Sequence, residues 1–192
     1  NGMVRPENIA DFSGRIYKEA NRLGNLVADI IQLSRLDEQQ DAVVSMESVE
    51  LDELAKDVVN NLRDHAEKKN ISLDYCGIPI NIQGVRHVLY EMLYNIADNA
   101  VRYTNPGGHI HIYVGRKGNR PFYRVEDDGI GIPKSEQKRI FERFYRVDKS
   151  HSRQTGGTGL GLSIVKHGAT LHHAQINVDS DLGKGTKMEL LF

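Results

Sequence analysis

The sequence predicts an α+β fold, a two-layer α/β sandwich in which helices cover one sheet, preceded by a long coiled-coil-like helix. Two segments, 51–62 and 85–103, carry the apolar spacing of amphipathic helices. Several short segments alternate apolar and polar residues, as half-buried strands do. Because these helices and strands mix without strict alternation, we expect one layered domain.

Residues 7–36 predict the long helix. Their apolar residues follow an a/d heptad pattern that is broken only at Glu19. They are Ile9, Phe12, Ile16, Leu23, Leu26, Ile30 and Leu33. This seam favours pairing with another helix, and packing on its own domain is the alternative. Polar residues at 37–41 mark a linker, so we expect two parts, 1–42 and 43–192.

The second part contains three predicted helices, six predicted strands and one long loop. The helices are predicted at 51–62, 85–103 and 160–171. The strands are predicted at 71–75, 78–82, 110–114, 122–125, 176–179 and 187–192. A turn at 115–121 joins the two middle strands. The stretch 142–159 is rich in Gly, Ser and Arg and predicts a mobile loop.

Composition excludes several classes of protein. Hydrophobic residues make up 39% and charged residues 27% of the 192, which is typical of a soluble globular protein. Basic and acidic residues number 25 and 26, so no basic footprint predicts nucleic acid as a partner. The single cysteine, Cys76, excludes an internal disulfide and a cysteine-based zinc site.

The hydropathy of the chain and its single cysteine predict a cytoplasmic setting. No apolar run approaches the roughly 20 residues that span a bilayer, and the N-terminus lacks the pattern of a signal peptide. We therefore expect any membrane anchor of the parent protein to lie outside this chain.

A polar stripe marks the helix at 85–103. Asn95, Asn99 and Arg102 recur at spacings of four and three, so they share the face opposite the apolar one. Amide oxygens suit a hard cation such as Mg²⁺, which keeps several waters and takes further ligands from nucleotide phosphates. Asn99 is the candidate metal ligand. The alternative is a solvated helix face.

An aspartate, Asp127, and two glycines, Gly129 and Gly131, follow the strand predicted at 122–125. The carboxylate of Asp127 can accept a hydrogen bond from an exocyclic amine, and Gly129 and Gly131 would let a flat ring approach the backbone. An ordinary Asp-Gly turn is the alternative.

The glycine-rich segment 156–162 (GGTGLGL) runs into the third helix. Exposed N–H groups and the positive helix end suit it to hold phosphate oxygens. It is neither a Walker loop nor a Rossmann fingerprint. Basic residues just upstream either bring charge to a polyphosphate or form a solvated loop. They are Arg143, Arg146, Lys149 and Arg153.

Together these segments resemble the sensor histidine kinases over about residues 45–192. The matching motifs are the N box at 95–104 (NIADNAVRYT), the first glycine box at 127–131 (DDGIG), the F box at 141–146 (FERFYR), the second glycine box at 157–162 (GTGLGL) and the short glycine motif at 183–186 (GKGT). Residues 7–36 resemble the second helix of that family's dimerisation hairpin, most like phosphate-sensing kinases of the PhoR type.

The resemblance implies a Bergerat (GHKL) fold with an ATP site. Asp127 would bind the adenine amine and Asn99 would hold Mg²⁺, while residues 142–158 would form the ATP lid. The phosphates or the metal shell would be contacted by Asn95, Arg102 and Tyr103, with Arg146 reaching the γ-phosphate. The other nucleotide-binding residues implied are Gly129, Gly131, Ile132, Lys149, Gly157, Thr158, Gly159, Leu160, Gly161, Leu162 and Thr186.

Two features of this chain bear on mechanism. Related gyrase and MutL ATPases carry a water-activating glutamate where this chain has Asn95, and an amide cannot take that proton. Glu91, one turn earlier, is better interpreted as a structural or surface acid than as a substitute base. None of the eight histidines lies in the family's phosphoacceptor motif; His109 and His111 offer at most half a metal site.

The resemblance therefore implies an ATP-dependent histidine kinase domain whose substrate histidine lies on a helix outside this chain. The expected partners are that helix, from the same or a sister subunit, and a response-regulator receiver domain, in a homodimeric parent protein. A nucleotide-binding module without transfer activity and a gyrase-like ATPase are the alternatives.

Overall fold

The computed structural model describes residues 45–147 and 157–192, and in the N-terminal segment residues 12–14, 16–17, 19–20, 23–24, 26–27 and 31. Those N-terminal residues are all helical, in agreement with the long helix predicted there. Phe12, Ile16 and Leu23 expose about half of their surface. The linker at 37–41 lies outside the described residues. Within the described part of the chain, no helix has the length and apolar character to cross a membrane.

The described domain starts with a short strand that the sequence did not predict. Strand β1 (Glu47–Glu50) pairs antiparallel with β3 (Asn81–Gly84). Its sequence, ESVE, buries only Val49 fully, so it carries no alternation of apolar residues. Helix α1 (Leu51–Lys68) follows directly and buries the apolar face predicted for it.

The remaining elements are β2 (Ser72–Gly77), α2 (Arg86–Tyr103), β4 (His109–Lys117), β5 (Arg120–Asp127), a 3₁₀ turn (Arg139–Phe141), α3 (Gly161–Leu171), β6 (Gln175–Asp181) and β7 (Gly185–Leu191). The large sheet has the order β2-β4-β5-β7-β6. Only β2 and β4 pair in parallel; the other neighbours are antiparallel.

Several predicted boundaries were wrong, and α1 continues to Lys68, well past its predicted end at 62. The turn predicted at 115–121 contains only Gly118 and Asn119, because the strands continue until Lys117 pairs with Arg120. Gly118 adopts a φ of 62°, which a glycine tolerates and which lets the chain reverse there. The strand predicted at 78–82 begins later, at Asn81, because its partner β1 is only four residues long.

Helices α1, α2 and α3 cover one face of the large sheet, and this confirms the two-layer α+β sandwich. The inward positions of the strands are apolar, among them Ile110, Val125 and Leu190. Tyr123 is fully buried, and its hydroxyl donates a hydrogen bond to the carbonyl oxygen of Leu93 (3.1 Å). Each buried Leu or Ile contributes roughly 1.5–3 kcal/mol, so α2 is firmly anchored by its apolar side. Its polar stripe, Asn95, Asn99 and Arg102, is left half-buried outside this apolar core.

Candidate functional site

The polar stripe of α2 meets the beginning of α3. Asn95 and Asn99 are half-buried. The side-chain amide of Asn95 donates a hydrogen bond to the backbone oxygen of Glu91 (2.9 Å). A Cβ on Gly161 would lie 2.5 Å from the Oδ1 of Asn95. Glycine at position 161 therefore allows the N-terminus of α3 to approach the stripe closely.

Two guanidinium groups converge on the glycine-rich segment. Arg102 donates through Nε to the Oδ2 of Asp98 (2.5 Å), and Arg146 donates through Nη1 to the carbonyl oxygen of Gly157. A Cβ on Gly157 would lie 3.7 Å from the Nη1 of Arg102 and 3.7 Å from the Nη2 of Arg146. Two like charges this close to one backbone segment form a favourable place for an anion.

Asp127 ends β5 and precedes the loop that contacts the carboxyl end of α2. Its Oδ1 accepts a hydrogen bond from the N–H of Gly129 (3.0 Å), and the N–H of Thr186 on β7 also bonds to this carboxyl group. Burial raises the pKa of Asp127 to about 6, although the two N–H groups act to lower it. The carboxyl group is therefore mostly ionised at neutral pH and able to accept a hydrogen bond from a ligand.

The loop after β5 is clamped between α2 and the β6–β7 turn. A Cβ on Gly129 would lie 2.5 Å from the carbonyl oxygen of Tyr103, which also accepts the N–H of Ile130 (3.2 Å). Gly131 has a φ of 69° and faces the carbonyl oxygen of Asp181 so closely that no side chain fits. Both glycines are required by this close approach.

Ser180 and Gln137 support this loop, and the sequence interpretation missed both. The buried hydroxyl of Ser180 accepts the N–H of Ile132 (2.8 Å) and donates to the carbonyl oxygen of Gly185 (2.8 Å). The amide of Gln137 donates to the carbonyl oxygens of Ser180 (2.7 Å) and Ile132 (3.1 Å). One signal was present: alternation along β6 places Ser180 on the inward face after Ile176 and Val178.

The described end of the glycine-rich segment is held by backbone contacts. Gly159 has a φ of 77°, and its carbonyl oxygen accepts the N–H of Phe144 (2.9 Å). Leu160 is fully buried, so only its backbone is available to a ligand. Leu162 packs against the core, while Thr158 is half-buried. Lys149 and Arg153 lie outside the described residues, and Arg143 is exposed.

The two strand histidines do not share one ion site. The Nδ1 of His109 lies 3.0 Å from the Oδ2 of Asp128, and the Nδ1 of His111 lies 3.7 Å from the Oδ2 of Asp74. Each imidazole thus faces a different carboxylate. Across the described residues, the one group of three potential metal ligands is Glu50, Asp52 and Glu53. Because Asp52 in this group already pairs with Lys56 and Tyr75, its carboxylate is not open to an ion.

Comparison with known proteins identifies the family of this chain. Residues 84–192 match the family described as histidine kinase-, DNA gyrase B-, and HSP90-like ATPase. The sensor-like histidine kinase SenX3 of Mycolicibacterium smegmatis is 34% identical over 186 residues, which are 96% of this chain and 48% of that protein. This chain therefore spans about half the length of the curated relatives it matches.

Two solved structures have the same fold. Full-length ShkA in complex with AMPPNP is 26% identical with a TM-score of 0.77, and the match covers 95% of this chain and 38% of ShkA. The mycobacterial sensor histidine kinase MprB is 26% identical with a TM-score of 0.67, and the match covers 77% of this chain and 96% of MprB. The resemblance that the motifs predicted is thereby confirmed. This chain belongs to the histidine kinase-, DNA gyrase B-, and HSP90-like ATPase family, and its relatives there are sensor histidine kinases.

Proposed function

We propose that this chain is the ATP-binding catalytic part of a sensor histidine kinase. It would transfer the γ-phosphate of ATP to a histidine on a dimerisation helix, for relay to a response-regulator aspartate. One observation carries the proposal: the polar stripe of α2 meets the N-terminus of α3 at Gly161, and the carboxyl end of the same helix meets the loop after Asp127, with an amide at Asn95 in place of a general base.

The adenine would bind beside Asp127. The ionised carboxylate would accept a hydrogen bond from the exocyclic amine, and Gly129 and Gly131 leave room for the flat ring. Ile132 and Thr186 are held in place by the hydroxyl of Ser180. The related ShkA was solved with AMPPNP, an ATP analogue, which supports a nucleotide as the ligand.

The phosphates would lie between the stripe and the start of α3. Arg102, Arg146 and the N–H groups at the positive end of α3 would bind the phosphate oxygens. The amide of Asn99 is half-buried on the same stripe, and its oxygen would be the ligand for Mg²⁺. The ion would neutralise and orient the phosphates, and Tyr103 and Lys149 would add further contacts.

The amide at Asn95 favours transfer of the γ-phosphate to an imidazole over hydrolysis of ATP. The side-chain amide of Asn95 donates its hydrogen bond to the backbone oxygen of Glu91, and the carboxylate of Glu91 takes no part in this contact. Without a general base, attack by water is slow. The chain would act by positioning the reactants and stabilising charge during an in-line transfer. This disfavours the gyrase-like ATPase.

The partners follow from the same proposal. The exposed apolar side chains of Phe12, Ile16 and Leu23 on the N-terminal helix suit a partner helix in a homodimer. That partner would carry the phosphoacceptor histidine, in the same or the sister subunit. The parent protein would be a membrane-anchored sensor with this domain in the cytoplasm, as expected for a relative of proteins named sensor histidine kinases.

The test is phosphotransfer from Mg-ATP in a chain extended upstream to include the parent protein's phosphoacceptor helix. We expect acid-labile, alkali-stable label on the protein, and loss of that label in Asn99→Ala. Absence of label despite measured ATP binding would instead indicate a nucleotide-sensing module. Rapid steady release of phosphate, without label, would indicate a hydrolytic ATPase.

A further inference from the structure

The C-terminal end of α2 poses an electrostatic problem for a phosphate site. The last carbonyl groups of a helix lack partners within the helix and carry a partial negative charge. Helix α2 ends at Tyr103, and its final turn also contains Arg102, which is proposed to bind the phosphates. The basic side chain of that turn, Arg102, donates to Asp98. An uncompensated helix end beside a polyphosphate would therefore weaken phosphate binding.

Lys69 compensates this helix end from a distant part of the sequence. It directly follows α1, and its ammonium group donates to three carbonyl oxygens, those of Val101 (2.7 Å), Arg102 (2.9 Å) and Thr104 (3.0 Å). Lys69 is half-buried. Burial and the nearby charge of Arg102 both lower its pKa, so holding the cation here has an electrostatic cost.

The turn that Lys69 holds contacts both the glycine-rich segment and the loop after Asp127. Arg102 faces Gly157 in the glycine-rich segment. The carbonyl oxygen of Tyr103 accepts the N–H of Ile130 in the loop after Asp127, and Gly129 packs against the same oxygen. A shift of this single turn would therefore move residues in both segments. The electrostatic effect of the ammonium charge differs from such a shift, because it acts on a ligand that carries phosphates and not on an uncharged one.

We propose that Lys69 is a positioning residue of the nucleotide site, which neutralises the carboxyl end of α2 and holds Arg102 against the phosphates. This inference rests on the proposed function, because it assigns Lys69 a role toward the phosphates of that nucleotide. The charge of Lys69 acts through the helix end and through Arg102, without direct contact with ATP.

The test compares ATP with adenosine, which has the same base and no phosphate. Dissociation constants are measured for Mg-ATP by calorimetry and for adenosine by NMR titration, on the wild-type chain and on Lys69→Met, Lys69→Gln and Lys69→Arg. We expect Lys69→Met and Lys69→Gln to weaken Mg-ATP about tenfold and adenosine less than about twofold. We expect Lys69→Arg to restore most of the ATP affinity, because it keeps the charge and the donors.

The control is Lys68→Met, which removes an exposed lysine one position earlier. It should leave both affinities unchanged. The ATP loss in Lys69→Gln should also shrink at high salt, since screening weakens charge effects. Should Lys69→Met fail to fold, the contrast between Lys69→Gln and Lys69→Arg decides the question.

Three outcomes would overturn the inference. An equal loss of ATP and adenosine affinity would show that Lys69 only supports the fold. Unchanged ATP affinity in Lys69→Met and Lys69→Gln, with tight binding by the wild type, would refute the inference alone. Failure of the wild-type chain to bind Mg-ATP would refute the proposed function as well, so the two failures are distinguishable.

Discussion

The N–H of Phe144 donates a 2.9 Å hydrogen bond to the carbonyl oxygen of Gly159, and both residues adopt left-handed backbone conformations, with φ of 62° and 77°. The side chain of Phe144 is 59% exposed, so packing contributes little to holding it there. A Cβ on Gly159 would lie 3.0 Å from the carbonyl carbon of Phe144. The F box and the second glycine box are thus joined through backbone atoms.

Gly159→Ala should therefore destabilise the domain by about 2–3 kcal/mol, combining the left-handed backbone penalty with the contact at Phe144. Chemical denaturation measures the change. Gly183→Ala is the matched control, because Gly183 has a similar φ of 80° with open space around its Cβ position, and should cost only about 1 kcal/mol. Equal losses in the two variants would show that the contact with Phe144 imposes no constraint.

Asp127→Asn should stabilise the nucleotide-free protein while weakening its binding of ATP. The pKa of Asp127 in the folded protein, about 6, lies above its ordinary value of 3.8. The folded state therefore binds more protons between these values, and this group's contribution to stability falls as pH rises from about 4 to 6. Removing the charge should recover about 1–3 kcal/mol at pH 7.5.

Urea denaturation of Asp127→Asn at pH 7.5 and pH 4 checks this, with ATP binding followed in parallel. The gain should be present at pH 7.5 and nearly absent at pH 4. A loss of stability at pH 7.5 would mean that the hydrogen bonds from Gly129 and Thr186 outweigh the burial of the charge. Glu67→Gln, at an exposed position near the end of α1, serves as the control.

His172 should make the domain less stable in weak acid. Its Nε2 accepts the N–H of Val85 (2.9 Å), while its Nδ1 lies 2.8 Å from the carbonyl oxygen of Gly168, an arrangement that requires neutral imidazole. Burial lowers the pKa of His172 below 6.5, with His173 and His87 adding to the effect. The unfolded chain thus binds the proton more readily, and stability falls as pH drops below about 6.5.

Replacing His172 by Gln should flatten this decline, at the cost of about 1 kcal/mol at pH 7.5 for a hydrogen bond lost. Free energies of unfolding for the wild type and His172→Gln at pH 7.5, 6.0 and 5.0 provide the test, because contributions from other groups cancel in the difference. His65→Gln, at an exposed position, is the control. Parallel pH profiles for wild type and His172→Gln would contradict the prediction.

Ser180→Ala should reduce both stability and ATP affinity. It leaves the N–H of Ile132 without its acceptor, which costs about 1–3 kcal/mol for a buried donor. The affinity should fall because the Ser180 hydroxyl also contacts the hydroxyl of Thr186, whose N–H bonds to the carboxyl group of Asp127. Thermal melting and calorimetric titration of ATP measure the two effects, with the exposed Ser135→Ala as control. Unchanged ATP affinity in a destabilised Ser180→Ala would limit Ser180 to a structural role.

The helices and the nucleotide motifs were predictable because their signals are local. Apolar spacing of 3.6 residues specified the start of α1 and both ends of α2 to within one residue, although α1 continues past its predicted end to Lys68. The same spacing placed Asn95, Asn99 and Arg102 on one face. Strand β1 was missed because its signal is not local. Its strand conformation comes from pairing with β3, and pairing leaves no mark in the sequence ESVE.

The sequence by itself therefore determined the fold class, the apolar faces and the residue types at the site, since each depends on neighbours within a few positions. The tertiary structure alone decided which distant groups meet. Lys69 reaches carbonyl oxygens 32 to 35 residues away, and Ser180 supports Ile132 across 48 residues. A single hydrogen bond between distant segments has no periodicity and requires no particular neighbour in sequence. Its partners are set only when the packed core brings the two segments together.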